Sequence, residues 1–244
     1  MTLVLRNDAA GVATLTLNRP EKLNALNPPV FAALRGHLDD IAGDESVRCV
    51  VLTGAGRSFC AGNDLESIAK GERHETPLFA PETVDALERL PQPTIAKIRG
   101  HCFTGGLELA LACDLLIAGS TATLSDTHGK WGLAPIWGMS VRLTERVGPS
   151  RAKEMMFTAR RLDAPAALAI GLVDRAVADE DLDATVDTLA AEIAANSAGT
   201  NRIVKRLVLD RLTRTHDEAL LHERTQPYGL PADMAERMAR PKKS

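Results

Sequence analysis

Positive charge is not in excess in this sequence. Its 29 lysines and arginines face 32 aspartates and glutamates, a formal net charge of −3. That balance argues against a nucleic-acid partner, because neutralising phosphates needs a basic face. A phosphorylated cofactor needs only a few cations and stays open. Cysteine is equally sparse: Cys49, Cys60, Cys102 and Cys113 stand without C-x-x-C spacing. Neither a disulfide framework nor a zinc site is expected, and the thiols read as free in a reducing compartment. No stretch approaches the roughly 20 apolar residues of a membrane span. Met1 to Asp8 carries charge at Arg6 and Asp8 where a signal peptide would have an apolar core. The expectation is a cytoplasmic protein that binds neither membrane nor nucleic acid.

Several chemical signatures are also missing. The segment Gly54-Ala55-Gly56 lacks the third glycine of a dinucleotide-binding turn, since Phe59 stands in its place. A tight strand-exit turn is the better reading. There is no G-x-S-x-G nucleophile elbow and no G-K-[ST] phosphate loop. The six histidines make no recognised metal spacing, so no metal is expected.

What remains is the composition of an ordinary globular protein, 45% hydrophobic and 25% charged over 244 residues. Leu3–Leu5 and Val12–Leu17 flank Asn7-Asp8-Ala9-Ala10-Gly11 and predict a β-hairpin. Asn27-Pro28-Pro29 opens a helix to about Ala42, with Asn27 as its cap. Val47–Thr53 is an almost continuous apolar run, the mark of a strand covered on both faces. Glu66–Pro81 reads as an irregular loop, followed by a short helix over Glu82–Leu90. Strands are then expected at Thr94–Arg99 and Leu115–Ala118, with a helix at Gly105–Ala112 between them. From Val141 onward the pattern is helical. Alternating strands and helices imply an α/β core with parallel crossovers. We divide it into an α/β body over 1–190 and a helical segment over 191–244.

Two segments carry most of the chemical information. The first is Ser58-Phe59-Cys60-Ala61-Gly62-Asn63-Asp64-Leu65, and the second runs from Arg99 through Thr104-Gly105-Gly106-Leu107-Glu108 to Asp114. Each sets small residues where a strand gives way to a loop or helix start. Backbone N–H groups are unpaired there, and two that converge make an oxyanion hole. Glu108 lies about one turn into the second helix, among Leu107, Leu109, Ala110 and Leu111. Apolar surroundings raise a carboxyl pKa and suit a general acid or base. Charge compensation at a helix N-terminus explains the same residue equally well.

F-C-A-G-N-D-L together with G-x-x-x-x-G-G-x-E-L-A-L-A-C-D resembles the two signature segments of the crotonase (enoyl-CoA hydratase/isomerase) superfamily. Asn18 to Leu26 is similar to that family's N-terminal segment contacting coenzyme A (CoA). Gly132-Leu133-Ala134-Pro135-Ile136-Trp137-Gly138 is similar to its G-x-x-P-x-x-G loop, and Ala164–Val177 to its A-x-x-x-G-L-V helix and strand. The blocks appear in family order over nearly the whole chain. The resemblance implies a spiral of ββα units with a C-terminal helical trimerisation segment, forming a trimer or dimer of trimers. It implies an acyl-CoA substrate held with no separate cofactor. The backbone N–H groups of Asn63 and Gly105 would take the thioester oxygen. Lys22, Asn24, Ala25, Ala61, Asp64 and Leu65 would line the CoA site.

The family's hydratases carry two glutamates. Glu108 falls on the first, while His128 occupies the second, in Thr127-His128-Gly129-Lys130-Trp131-Gly132. Histidine can donate a proton near neutral pH. If the segment is a strand, Asp126 lies on the same face and orients the imidazole. His128 as a mere space-filler in a drifted site is the alternative. Trp131 and Trp137 read either as walls of an acyl pocket or as core. Reversible hydration of 2-trans-enoyl-CoA is the leading expectation. Isomerisation, decarboxylation or thioester hydrolysis at the same site, or non-catalytic acyl-CoA binding, are the alternatives.

Overall fold

A computed structural model describes residues 2–239. The chain opens with the expected hairpin. β1 (Val4–Ala9) and β2 (Val12–Leu17) pair antiparallel, with Val4 opposite Leu17. Ala10 and Gly11 both take positive φ, 50° and 79°, which is what a two-residue turn between twisted strands needs. α1 (Pro28–Ala42) begins where the Asn27 side chain accepts from the Val30 amide at 3.1 Å. Its spacing buries Phe31, Leu34, Leu38 and Ile41 on one stripe.

β3 (Cys49–Gly54) is the apolar run, and its two faces enter different cores. Val50 and Leu52 join the main core, whereas Cys49 and Val51 face the opposite side of the sheet. α2 (Leu65–Ala69) and α3 (Phe79–Glu88) follow. The stretch 66–81, read from sequence as wholly irregular, therefore contains a helical turn. Asp64 nucleates it by accepting from the Glu66 and Ser67 amides, a cap that periodicity over five residues cannot reveal.

Two strand–strand–helix units then build the centre. The first is β4 (Thr94–Ile98), β5 (His101–Phe103) and α4 (Gly105–Leu111). The second is β6 (Leu115–Gly119), β7 (Thr123–Ser125) and α5 (His128–Trp131). In each unit one strand enters a large sheet and the next a small one. Past α6 (Met139–Val147) and α7 (Pro149–Thr158) come β8 (Leu162–Asp163) and α8 (Ala164–Ala169). β9 (Arg175–Val177) and α9 (Asp179–Ala195) complete the body. The six-stranded sheet runs β1-β2-β3-β4-β6-β9, parallel except for β1, and the small sheet runs β5-β7-β8.

Beyond residue 141 the residue pattern alone predicts helix, but β8 and β9 interrupt it, and β9 is the strand that the family resemblance of Ala164–Val177 implies. Both are too short to show a period, and β9 forms because it closes the sheet edge beside β6. α9 lays Leu182, Val186 and Ala190 on the second sheet face, against Cys49, Val51, Ile95 and Ile117. The division expected at residue 190 falls inside this helix. α10 (Ala198–Arg211), α11 (His216–Arg224) and α12 (Met234–Ala239) follow, and 240–244 of the expected helical segment lie outside the described residues. No helix among the described residues is long and apolar enough to cross a membrane.

Candidate active site

Two chain segments meet at the mouth of α4. In the parallel bridge between Leu26 and Asn63, the Gly62 carbonyl and Asp64 amide both bond to Leu26, each at 2.8 Å. Alternation along an extended chain turns the Asn63 N–H the other way. The Thr104–Gly105 peptide lies against the same segment. A Cβ on Gly62 would stand 2.9 Å from the Phe103 carbonyl oxygen, 3.3 Å from Thr104 Cβ and 3.5 Å from the Gly105 nitrogen. Gly62, at φ 104°, is thus where the two loops come too close for a side chain. Neither the Asn63 nor the Gly105 amide donates to a protein acceptor among the described residues. Gly105 opens α4, where N–H groups lack helical partners by construction.

Thr104 joins this mouth to the next unit. It holds φ 48° and ψ −111°, a conformation very unfavourable for a β-branched residue and costing of order 1–3 kcal/mol. Its neighbours hold it there: the Thr104 amide donates to Ser125 O at 2.9 Å, and the Thr127 amide donates to Thr104 Oγ1 at 3.1 Å. The two threonine hydroxyls lie 2.5 Å apart.

Glu108 is buried on α4, and Oε1 accepts from the Trp137 and Met139 amides at 3.1 Å each. Its other oxygen faces His128 Nε2 at 4.0 Å. Burial pushes the carboxyl up to about 7, against the opposing pull of His128 and the two amides. His128 is also buried, and its Nδ1 lies 2.6 Å from Asp126 Oδ1. The carboxylate accepts the Nδ1–H hydrogen bond, which leaves Nε2 toward Glu108. Burial disfavours the imidazolium, yet the Asp126 hydrogen bond and charge, aided by Glu108, outweigh it. The pKa stands above the ordinary value. The Asp126–His128 contact expected from sequence is present, but not for the reason given. The segment is no strand: β7 ends at Ser125 and His128 starts a helical turn, with its own amide on Asp126 Oδ1 at 3.1 Å.

His128 of this pair lines a cavity of about 600 Å³, together with Asn63, Trp137, Phe31, His74 and Phe79 among others. Trp137 packs edge-on against Phe31 at 4.8 Å between ring centroids. Trp131 is different: its side chain is 57% exposed and outside the cavity lining. The pocket-wall reading of Trp131 is corrected, because on a one-turn helix the ring points outward while His128 points in.

The segment expected to meet CoA is folded tightly on itself. Asn24 is buried at φ 57°, accepting from the Arg19 amide and donating to Ala55 O and Ser58 O. Its side chain is therefore internal bracing. The Asp64 side chain is divided between the α2 cap and Arg19, 3.0 Å away. Ala61 donates to Leu23 O, and Arg19 also donates to Ala25 O at 2.7 Å. Lys22 pairs at the surface with Glu66, beside the exposed Leu65. Of these residues Lys22 and Leu65 are exposed, whereas Asn24 and Asp64 are buried.

Sequence reasoning missed Thr104 and Arg142. Arg142 on α6 is buried, pairs with Glu88 and Asp85 of α3, and donates to Trp137 O at 2.7 Å. It steadies the loop whose amides hold Glu108. Neither residue has a local signal, since each acts on a distant segment.

A carboxyl brought to about 7, buried opposite a carboxylate-supported imidazole that lines a cavity, is the arrangement of an acid–base enzyme. Residues 7–238 match the family model described as enoyl-CoA hydratase/isomerase. A probable peroxisomal enoyl-CoA hydratase of Arabidopsis thaliana is 35% identical over 97% of this chain and 89% of its own. A short-chain-enoyl-CoA hydratase of Clostridium acetobutylicum is 34% identical, over 87% and 83%. An enoyl-CoA hydratase subunit from Geobacillus kaustophilus superposes with a TM-score of 0.89 at 32% identity, over 99% of this chain and 98% of that one. A putative enoyl-CoA hydratase from Thermobifida fusca, solved with acetoacetyl-CoA, gives 0.84 at 33%, over 92% of each. The chain belongs to the enoyl-CoA hydratase/isomerase family and has the crotonase fold.

Proposed function

We propose that the protein is a hydro-lyase that reversibly adds water to 2-trans-enoyl-CoA. The observation carrying this is the pair of buried groups, Glu108 Oε2 and His128 Nε2, held face to face 4.0 Å apart. They are too far apart for a direct hydrogen bond, yet one oxygen atom fits within about 2.8 Å of both. The thioester oxygen sits between the Asn63 and Gly105 amides, which stabilise the charge that moves onto it. Glu108 takes a proton as water oxygen bonds to the β carbon. The imidazolium gives its Nε2 proton to the α carbon, and the enolate collapses to the hydroxyacyl thioester. Glu108 ends protonated and His128 neutral, and proton return to His128 resets the site. The raised His128 pKa favours the imidazolium, whereas a carboxyl near 7 is only partly ionised at neutral pH, so the starting carboxylate gains population as pH rises through 7.

The scheme uses no metal or redox cofactor, since the thioester and two amides supply the activation. Similarity to the relative solved with acetoacetyl-CoA supports an acyl-CoA ligand, and the proposed path of CoA is along the 22–26 and 61–65 segments. The exposed apolar residues Val204 and Val208 of α10, Leu212 just beyond it and Leu221 of α11 favour subunit contact. A homotrimer or dimer of trimers is the assembly we propose, readable as mass by light scattering. The proposed compartment is the cytoplasm.

The test follows enoyl absorbance and product mass across a panel of trans-2-enoyl-CoA esters. Glu108→Gln is expected to lower kcat at least about 100-fold with little change in thioester binding. Undiminished turnover in that variant would remove the mechanism. Tight ester binding without turnover in the wild type would leave a binding protein.

A further inference from the structure

The geometry points to Thr104 as a positioning residue whose hydroxyl clasps Thr127, locking the Gly105 oxyanion amide to the loop that carries His128. The inference rests on the hydratase reading and names a part of its site. It follows from three contacts of one residue. Thr104 immediately precedes Gly105, so its backbone angles aim the Gly105 N–H. Its Cβ abuts Gly62, the residue before the second amide, Asn63. Its Oγ1 meets Thr127 Oγ1 at 2.5 Å and the Thr127 amide at 3.1 Å, one residue before His128.

The backbone indicates that the clasp is more than incidental packing. Glycine would occupy φ 48°, ψ −111° without steric penalty, whereas threonine is held there against its preference. The hydroxyl is what a glycine would lack. With the Thr104 amide also fixed to Ser125 O, both ends of the 125–127 turn are tied to the entrance of α4. Glu108 rides on α4 one turn further along, and His128 follows the turn. The clasp thus spans the two elements that hold the 4.0 Å pair, and it sets how far His128 stands from the thioester held at Gly105. Misplacing one reacting group by about an ångström is enough to cost rate without loss of binding.

The experiment compares Thr104→Gly, Thr104→Ser and Thr127→Val with wild type on the best enoyl-CoA of the panel. Melting is followed alongside, together with affinity for acetoacetyl-CoA. Thr104→Gly removes the strain as well as the hydroxyl, so a folded protein is expected. The prediction is a roughly tenfold fall in kcat for Thr104→Gly and Thr127→Val, with KM within about twofold. The alkaline limb of the pH profile should move as His128 shifts against Asp126. Thr104→Ser keeps the hydroxyl and should recover most of kcat. Unchanged kcat in Thr104→Gly, or no recovery in Thr104→Ser, would overturn the clasp while leaving a hydratase that still depends on Glu108. A wild type that turns over no enoyl-CoA would overturn the hydratase reading and the clasp with it.

Discussion

Glu108 is placed where a carboxylate is uncomfortable, and that discomfort is measurable apart from catalysis. Its folded pKa of about 7 lies above the ordinary 4.5. Below pH 4.5 the group is protonated in both folded and unfolded chains and costs nothing. As pH rises from 4.5 to about 7 the unfolded chain ionises while the buried site resists, so stability is lost across that window. Glu108→Gln should therefore be more stable than wild type by roughly 3 kcal/mol at pH 8 and close to it at pH 4. Urea unfolding at the two pH values decides it, and a pH-independent difference would contradict the buried-charge account. Asp126 acts on the other partner. In Asp126→Asn the hydrogen bond to a carboxylate and its charge are gone, and burial is opposed by Glu108 alone, so the imidazolium deprotonates earlier. Hydration needs that imidazolium, so the alkaline limb of kcat/KM should move to lower pH. An unmoved limb would assign it to another group.

Elements bring these residues together through supports the chemistry never touches. The 133–138 loop would be free to swing, but Arg142 ties Trp137 O to the Asp85 and Glu88 carboxylates of α3. Arg142→Met keeps most of the volume and removes all three links. About 2 kcal/mol of stability should go, because Trp137 O loses its buried donor while the half-exposed carboxylates can rehydrate. Activity should fall with it, since the Trp137 and Met139 amides that hold Glu108 would loosen. Thermal melting and kcat measured together test the coupling, and a stability loss with full activity would break it. At this scale the sequence was a good guide where the signal was local. The hairpin, the Asn27 cap and the two-faced β3 run are patterns of neighbours. It was a poor guide at α2 and at 126–131, where a side-chain cap and a single helical turn outweigh propensity.

Across the whole molecule, a buried cation helps to fasten α10 to the body. Lys205 of α10 reaches Asp114 Oδ2 at 2.8 Å and Gln92 O at 3.1 Å. The same carboxylate caps the β4 entry, accepting from the Thr94 amide and hydroxyl at 2.7 and 2.9 Å. Lys205→Met should cost about 1–3 kcal/mol and loosen α10 before the sheet. Hydrogen exchange faster in α10 than in β3 and β4 is the expected signature; uniform protection would mean that apolar packing alone holds the helix.

By itself the sequence determined the α/β pattern, the order of the family's blocks and the identity of Glu108 and His128 as acid–base candidates. Those are properties of residue type and short spacing, and they survive without coordinates. Tertiary structure alone decided the rest: that Asn24 braces inward, that Trp131 faces out while Trp137 lines the cavity, and that Thr104 and Arg142 matter at all. Each depends on contacts between residues far apart in the chain, Arg142 with Glu88 and Thr104 with Thr127. The pKa of Glu108 belongs to the same class. Its apolar helix neighbours hinted at a raised value, but its size comes from burial beneath a loop about 30 residues downstream.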